Sequence, residues 1–137
     1  MNIEYLVYVA VRDTEEAEYH LIETHHILNM TAEQVRTLGA DVVAKQCLEK
    51  LDGVDLSYVT FDLDSMDSSI CMGTGTPAPH GIFLGEARLL NETLVKDPRV
   101  CCWEICEINP LLDTLNTIVE NSLLIFESVV DAIAKRY

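Results

Sequence analysis

The sequence predicts an α/β fold of three layers, in which a mostly parallel sheet lies between helices. Three short runs of β-branched and aromatic residues alternate with segments whose apolar residues recur at helical spacing, and this alternation is typical of βαβ units. The chain has 137 residues, of which 49% are hydrophobic and 23% charged, as expected for one globular domain. With no internal repeat or linker in the sequence, we expect a single domain over residues 1–137.

The first half of the chain contains one predicted strand and one long predicted helix. The strand covers Leu6 to Val11, and the acid-rich stretch from Asp13 to Glu18 is expected to be a loop. A short Ile27-Leu28 segment follows. A capping-box pattern at Thr31 and Gln34, followed by apolar residues at helical spacing, predicts one helix from Thr31 to about Leu51.

The second half contains two more predicted strands, each followed by a helix. The strands cover Leu56 to Phe61 and Val100 to Cys106. Between them, the glycine- and proline-containing stretch from Ser65 to Gly81 predicts a long loop before a helix around Leu84 to Val95. Apolar residues from Leu115 to Ile133 lie on one face of a long carboxyl-terminal helix.

Charge and cysteine content narrow the function classes. Nine Lys and Arg residues stand against 23 Asp and Glu residues, giving a formal net charge of −14, and such a surface repels phosphate backbones and anionic membranes. We therefore expect no nucleic-acid partner and no membrane association. The amino-terminal apolar run has no basic leader and is too short to span a bilayer. Five cysteines without a Cys-x-x-Cys pair predict free thiols and a cytoplasmic location.

Acidic residues follow each of the three predicted strands, where parallel sheets bind their ligands. Asp13 and Glu15 follow the first strand, Asp62 and Asp64 the second, and Glu107 the third, so that their side chains are expected at one sheet edge. Two carboxylates at i and i+2 can both reach a hard divalent cation such as Mg²⁺ or Mn²⁺ if the chain bends there. A solvated acidic turn is an equally open interpretation of the second pair.

Other acidic or glycine-rich motifs fit less well. An EF-hand requires Gly where Asp67 stands and Glu where Gly73 stands, and a P-loop requires a Lys that the stretch from Gly73 to Pro77 lacks. A phosphatase of the haloacid dehalogenase type also begins with a strand and Asp-x-Asp, so it stays a weaker alternative. It gives no role to the Gly73–Pro77 stretch or to Glu107–Pro110.

Three segments carry a family signature when they are taken together. Thr60 to Asp64, followed by Gly73 to Pro77, resembles the third signature of the ureohydrolases, the family of arginases, agmatinases and formimidoylglutamases. Cys106 to Pro110 is similar to the family's Glu-Val-Asn-Pro, and Arg12 to Glu18 resembles the Arg-Asp-x-Asp-x-x-Glu loop of arginases. The matches follow the family order over essentially the whole chain, which resembles the carboxyl-terminal half of an arginase.

The resemblance implies a metal-dependent hydrolase of which only part is present. Asp62 matches the aspartate that bridges two Mn²⁺ ions, and Asp64 matches a ligand of the second ion. The amino-terminal half of an arginase carries the remaining ligands, together with a histidine implicated in proton transfer. The resemblance therefore implies that this chain alone is inactive and binds Mn²⁺ weakly or not at all.

The resemblance also implies which residues meet the substrate, a guanidino compound such as L-arginine that is hydrolysed to urea and an amine. Glu107 matches the glutamate that pairs with the guanidinium group, and Thr76 matches a threonine close to it. Glu15 and Glu18 match acids near the α-amino end, although the family usually has aspartate where Glu15 stands.

Two further expectations concern partners and the absence of activity. A parallel sheet cut in half leaves an exposed strand edge and uncovered apolar surface, so we expect contact with the missing amino-terminal half or a homo-oligomer. The alternative to a split enzyme is a non-catalytic remnant or interaction module.

Overall fold

The computed structural model describes residues 2–136, which form four strands, five α-helices and two short 3₁₀ turns within that range. The first half contains the elements β1 (Val7–Val9), α1 (Glu16–Thr24), β2 (Leu28–Met30), α2 (Ala32–Leu38) and α3 (Ala40–Lys50). The second half contains β3 (Ser57–Asp62), α4 (Leu84–Val95), β4 (Val100–Cys106) and α5 (Thr117–Ala134). The 3₁₀ turns cover Ile3–Tyr5 and Leu63–Ser65.

The strands form two parallel pairs. β1 pairs with β2, placing Val7 opposite Leu28, while β3 pairs with β4 in a register that ends with Asp62 opposite Cys106. A parallel pair needs a crossover connection, usually a helix, and α1 and α4 lie in the two connections. The predicted α/β class with parallel pairing is confirmed.

One apolar core joins the two strand pairs to the helices. Helix α4 packs against both α3 and α5. The core combines Met30 of β2 and Phe61 of β3 with Val43 of α3 and Ile125 of α5. The strand pairs therefore share a helical layer although they do not pair with each other.

The opposite face of the β3–β4 pair is exposed. Tyr58 and Thr60 of β3 and Cys102 and Glu104 of β4 are all exposed. Because side chains alternate between the faces of a strand, these exposed residues form one continuous patch. No helix covers this face of the β3–β4 pair within residues 2–136. All five cysteines are free thiols.

The predicted long helix from Thr31 to Leu51 is wrong in one respect, because it is two helices. Gly39 ends α2 and precedes α3, with a φ of 99° that residues with a Cβ rarely adopt. Its N–H donates to Val35 O at 3.0 Å, and its carbonyl oxygen accepts from Val43 N at 3.1 Å. One glycine therefore serves as the cap of both helices and changes their direction.

The ends of three other elements also differ from the predicted ones. β1 stops at Val9 because Ala10 turns the chain with a φ of 58°. The predicted loop over residues 13–18 is a loop only up to Glu15, because helix α1 begins at Glu16. The short Ile27-Leu28 segment runs into strand β2, which begins at Leu28. Within residues 2–136 no helix has both the length and the apolar character needed to cross a bilayer.

The carboxyl-terminal helix begins later than predicted. α5 starts at Thr117, and Leu115 is 80% exposed. The Asp113 carboxylate accepts a 2.8 Å hydrogen bond from the N–H of Ile118, one of the amide groups that a helix leaves unpaired in its first turn. The Asp113 side chain thus caps the first turn of α5.

Candidate metal and substrate site

Two carboxylates are held side by side at the end of β3. Asp62 is the last residue of the strand and caps the following 3₁₀ turn. Its Oδ1 accepts a 2.8 Å hydrogen bond from the N–H of Asp64, and its carbonyl oxygen accepts one of 2.6 Å from Ser65 Oγ. The 3₁₀ turn bends the chain directly after Asp62, as the i and i+2 spacing requires if both side chains are to reach one cation.

Electrostatics at this pair favour a positive partner. Burial raises the pKa of Asp62; the hydrogen bond from the Asp64 N–H opposes that shift, and the negative charge of Asp64 adds to it. Two neighbouring anions in a partly buried position repel each other, and a nearby cation favours their ionised forms.

The second carboxylate has one oxygen in use and one without a partner. Asp64 Oδ2 accepts a 2.6 Å hydrogen bond from Thr76 Oγ1. Asp64 Oδ1 is buried and has no hydrogen-bond partner among residues 2–136, as is also true of Thr74 Oγ1. A buried carboxylate oxygen without a partner costs free energy unless an ion or a donor contacts it, so this atom is suited to bind a cation.

Glu107 lies at the same edge as the carboxylate pair. Because Asp62 is opposite Cys106, Glu107 leaves β4 one residue beyond that level. It is exposed and has a φ of 60°, an uncommon backbone conformation for a residue with a Cβ. A Cβ at Gly75 would lie 3.6 Å from Glu107 Oε2, so the glutamate is close to the loop that carries Thr76.

The loop around Thr76 is joined to the segment after β4. Asn109 N–H donates to Gly73 O at 2.8 Å. A Cβ at Gly73 would lie 2.6 Å from Ile118 Cγ2, closer than side chains approach each other. Glycine at this position therefore lets the Thr74–Thr76 segment pack against the start of α5.

Sequence reasoning gave no individual role to the arginines that fix this loop. Arg12 Nη2 donates to Met66 O at 2.7 Å and to Ala78 O at 2.8 Å. Arg36 Nη2 donates to Gly81 O at 3.0 Å. The available signal for Arg12 was a basic residue directly after a strand and before a run of acids.

Glu15 and Glu18 are exposed and belong to the start of α1. The N–H of Glu15 donates to Glu18 Oε2 at 2.9 Å, an arrangement of the capping-box type. Glu15 also borders an open surface that residues of this helix alone line. In the described chain no hydrogen bond or ion pair joins these glutamates to Asp62, Asp64 or Glu107, so their predicted substrate role stays a prediction.

The carboxylate pair alone does not make a complete metal-binding group. Among residues 2–136, no group of three or more His, Cys, Asp or Glu side chains is placed to hold a metal ion. Asp62 and Asp64 fit part of the oxygen shell of a hard divalent cation. By themselves they do not fit a pair of metal ions.

Comparison with known proteins gives a consistent family match. A model described as "Arginase family" matches residues 1–130. The arginase of Entamoeba histolytica is 31% identical over 108 residues, covering 79% of this chain and 36% of the relative. The arginase of Bacillus caldovelox is 34% identical over 117 residues, covering 82% of this chain and 38% of the relative.

Solved structures give the same result for the fold. Native Bacillus caldovelox arginase superposes with a TM-score of 0.86 at 28% identity, covering 94% of this chain and 44% of that one. Entamoeba histolytica arginase in complex with L-ornithine superposes with a TM-score of 0.85 at 29% identity, covering 90% of this chain and 42% of that one. The chain thus spans less than half the length of these relatives. The matches give no support to the phosphatase alternative.

Proposed function

We propose that this chain, which belongs to the arginase family, forms the carboxyl-terminal part of a binuclear manganese hydrolase that splits a guanidino substrate such as L-arginine into urea and an amine. The observation that carries the proposal is the edge shared by Asp62, Asp64 and Glu107, where Asp64 Oδ1 is buried without a partner.

The residues at this edge divide the work by their chemistry. Asp62 and Asp64 would hold manganese. When bound, the metal would lower the pKa of a water molecule, so that the water loses a proton and can attack a guanidinium carbon. Glu107 offers the guanidinium a carboxylate, the group that pairs with it through two parallel hydrogen bonds. Thr76 orients Asp64 by donating to Oδ2.

From Glu15 and Glu18 we infer that the substrate is arginine rather than agmatine. Arginine carries an α-ammonium group that agmatine lacks, and exposed carboxylates complement such a charge. Both glutamates are exposed at the start of α1, where such a group could reach them.

The proposal includes inactivity of the chain alone. Two carboxylates leave most of the coordination sphere of a hard divalent ion to water, so neither the acidity nor the position of a bound water would be controlled. Because the chain covers 36% and 38% of two arginase relatives, we expect the other ligands to lie in a part of the arginase domain outside these 137 residues.

Exposed apolar surface supports such a partner. Val119, Leu123, Phe126 and Val130 form an outer stripe on α5 and are between 38% and 52% exposed. Large apolar patches commonly mark protein interfaces. The net charge of −14 opposes association of identical chains, so the missing half is favoured over a homo-oligomer. The exposed thiols of Cys101 and Cys102 support a cytoplasmic location.

The second candidate is a non-catalytic remnant or interaction module. The same exposed stripe favours it, together with the lack of a third metal ligand among the described residues. Activity in the presence of the missing half separates the two functions.

The experiment combines the purified chain with the amino-terminal half of Bacillus caldovelox arginase and measures urea release from L-arginine with added Mn²⁺. We expect background release from the chain alone and release above background from the complex. Asp62→Asn should abolish that release, whereas Asp55→Asn, at an exposed position, should retain it. A complex that forms, binds Mn²⁺ and releases no urea would contradict the proposal.

A further inference from the structure

Arg12 binds backbone carbonyl groups from two distant parts of the chain. Its Nη2 donates to Met66 O at 2.7 Å and to Ala78 O at 2.8 Å, and its Nε donates to Pro79 O at 3.1 Å. A weaker contact of 3.4 Å joins Nη1 to Ala10 O. A guanidinium group, with five N–H donors in a planar fork, can serve several acceptors at once.

The carbonyl groups of Met66, Ala78 and Pro79 lie where the two ends of the 66–82 loop meet, a region called the neck of this loop. The neck joins the chain entering at Met66 to the chain leaving at Ile82, where the two residues form a parallel bridge. Ser68 N–H donates to Ala78 O at 3.1 Å, and Gly81 N–H donates to Asp67 Oδ2 at 3.2 Å. Arg12 therefore ties both sides of the neck to the end of β1.

The loop closed by this neck brings Thr76 to Asp64. Thr76 Oγ1 occupies Asp64 Oδ2 at 2.6 Å, and Thr74 is 1% exposed. With Oδ2 held by Thr76, Oδ1 is the atom left buried and available. The position of this atom thus depends on the loop, and the loop depends on its neck.

Charge pairing does not account for Arg12. Within residues 2–136 it forms no ion pair, although the chain is strongly acidic. All four of its hydrogen bonds go to backbone carbonyl oxygens. A residue with this pattern sets a backbone position, and Lys in its place would lack the fork needed for several carbonyl groups.

We propose that Arg12 is a positioning residue for the metal site, which fixes the 66–82 loop so that Thr76 orients Asp64 toward the cation. This role rests on the proposed function only in taking Asp64 as a metal ligand. The effect of Arg12 on the loop and on Thr76 is independent of it.

The test compares Arg12→Lys and Arg12→Gln with wild type in amide hydrogen exchange followed by NMR. Arg88→Gln is the matched control, because Arg88 is exposed on α4. We expect exchange at Ser68 and Gly81 to accelerate at least about tenfold in both Arg12 variants, as loss of a charge-assisted hydrogen bond implies. Exchange in the cores of α3 and α5 should be unchanged, and the control should match wild type.

A second readout follows the Asp64 amide signal as Mn²⁺ is added and broadens it. We expect Arg12→Lys to need about tenfold more Mn²⁺ than wild type for the same broadening. A residue that merely stabilises the fold would not move this readout while the core amides stay protected.

The other possible outcomes separate the effect of Arg12 on the loop from its effect on metal binding. Unchanged loop exchange, or equal acceleration of core and loop amides, would overturn the positioning role. A released loop with unaltered Mn²⁺ broadening would also overturn it, because Arg12 would not act on Asp64. A released loop in a chain that shows no Mn²⁺ broadening even as wild type would support the action of Arg12 on the loop and overturn its action on a cation in the isolated chain. The proposed function would be untouched by that outcome, because it expects the isolated chain to bind Mn²⁺ weakly or not at all.

Discussion

Thr76 Oγ1 and Asp64 Oδ2 lie 2.6 Å apart, joined by a hydrogen bond between residues twelve positions apart in the chain. The bond connects the turn after β3 to the tip of the loop that follows it. The orientation of the Asp64 carboxylate therefore depends on the position of the loop that carries Thr76.

Thr76→Val should lower the free energy of unfolding by about 1 kcal/mol, since it removes one donor to a carboxylate at similar side-chain volume. Chemical denaturation measures the change. Thr93→Val is the control, because Thr93 on the exposed side of α4 bonds only to Leu89 O of its own helix. An equal loss in both variants would mean that the Asp64 contact contributes nothing specific.

Gly81→Ala should lower the free energy of unfolding by about 3 kcal/mol or more, because overpacking against backbone forces the chain to move. A Cβ at this position would lie 2.3 Å from the carbonyl carbon of Met66. Gly85→Ala has no atom within 4 Å of its Cβ and lies in α4, so it should be neutral or stabilising by up to about 1 kcal/mol. Thermal denaturation of both variants tests the contrast, and equal stability would refute the close approach.

Asp62→Asn should stabilise the chain at neutral pH. Burial raises the pKa of Asp62, so between the ordinary and the raised pKa the folded chain binds more protons than the unfolded chain. Its stability therefore falls as pH rises through that interval and stays low above it. The advantage of the variant should be present at about pH 7 and shrink toward about pH 4. Melting temperatures over this range measure it, and Asp55→Asn controls for the change in net charge.

Leu123→Glu should prevent assembly with the amino-terminal half and leave the isolated chain folded. Leu123 is 52% exposed in the stripe on α5, so its loss removes little from the core while a charge at an apolar contact is costly to bury. Light scattering of the mixture measures assembly. Glu127→Gln is the control on the same helix, and assembly of Leu123→Glu with unchanged affinity would exclude the stripe as the contact.

Local sequence patterns predicted the bounds of an element well where no residue with a positive φ interrupts it. The bounds of β4 at Val100 and Cys106 agree with those expected from its β-branched and aromatic run. Gly39 was missed because the apolar spacing continues across it, and only its φ of 99° separates the helices. Ala10 gives no signal at all, since nothing in an alanine indicates a positive φ.

The candidate site was predictable to the extent that it follows from strand ends. Parallel strands place Asp62 and Glu107 at one edge whatever the loops do. The role of Arg12 was not predictable in this way, because its acceptor Met66 O lies 54 positions further along the chain. Contacts of this kind depend on the complete path of a loop, which periodicity and propensity do not encode.

The exposed face of the β3–β4 pair also bears on how the chain stays in solution. Glu104 is the only charged residue of β4, whose other residues are apolar, and the hydroxyl groups of Tyr58 and Thr60 hold its pKa below the ordinary value. Strands rich in β-branched and aromatic residues stack into aggregates unless a charge interrupts them. Glu104 is positioned to interrupt such stacking, so we expect its replacement by an apolar residue to raise the tendency of this segment to aggregate.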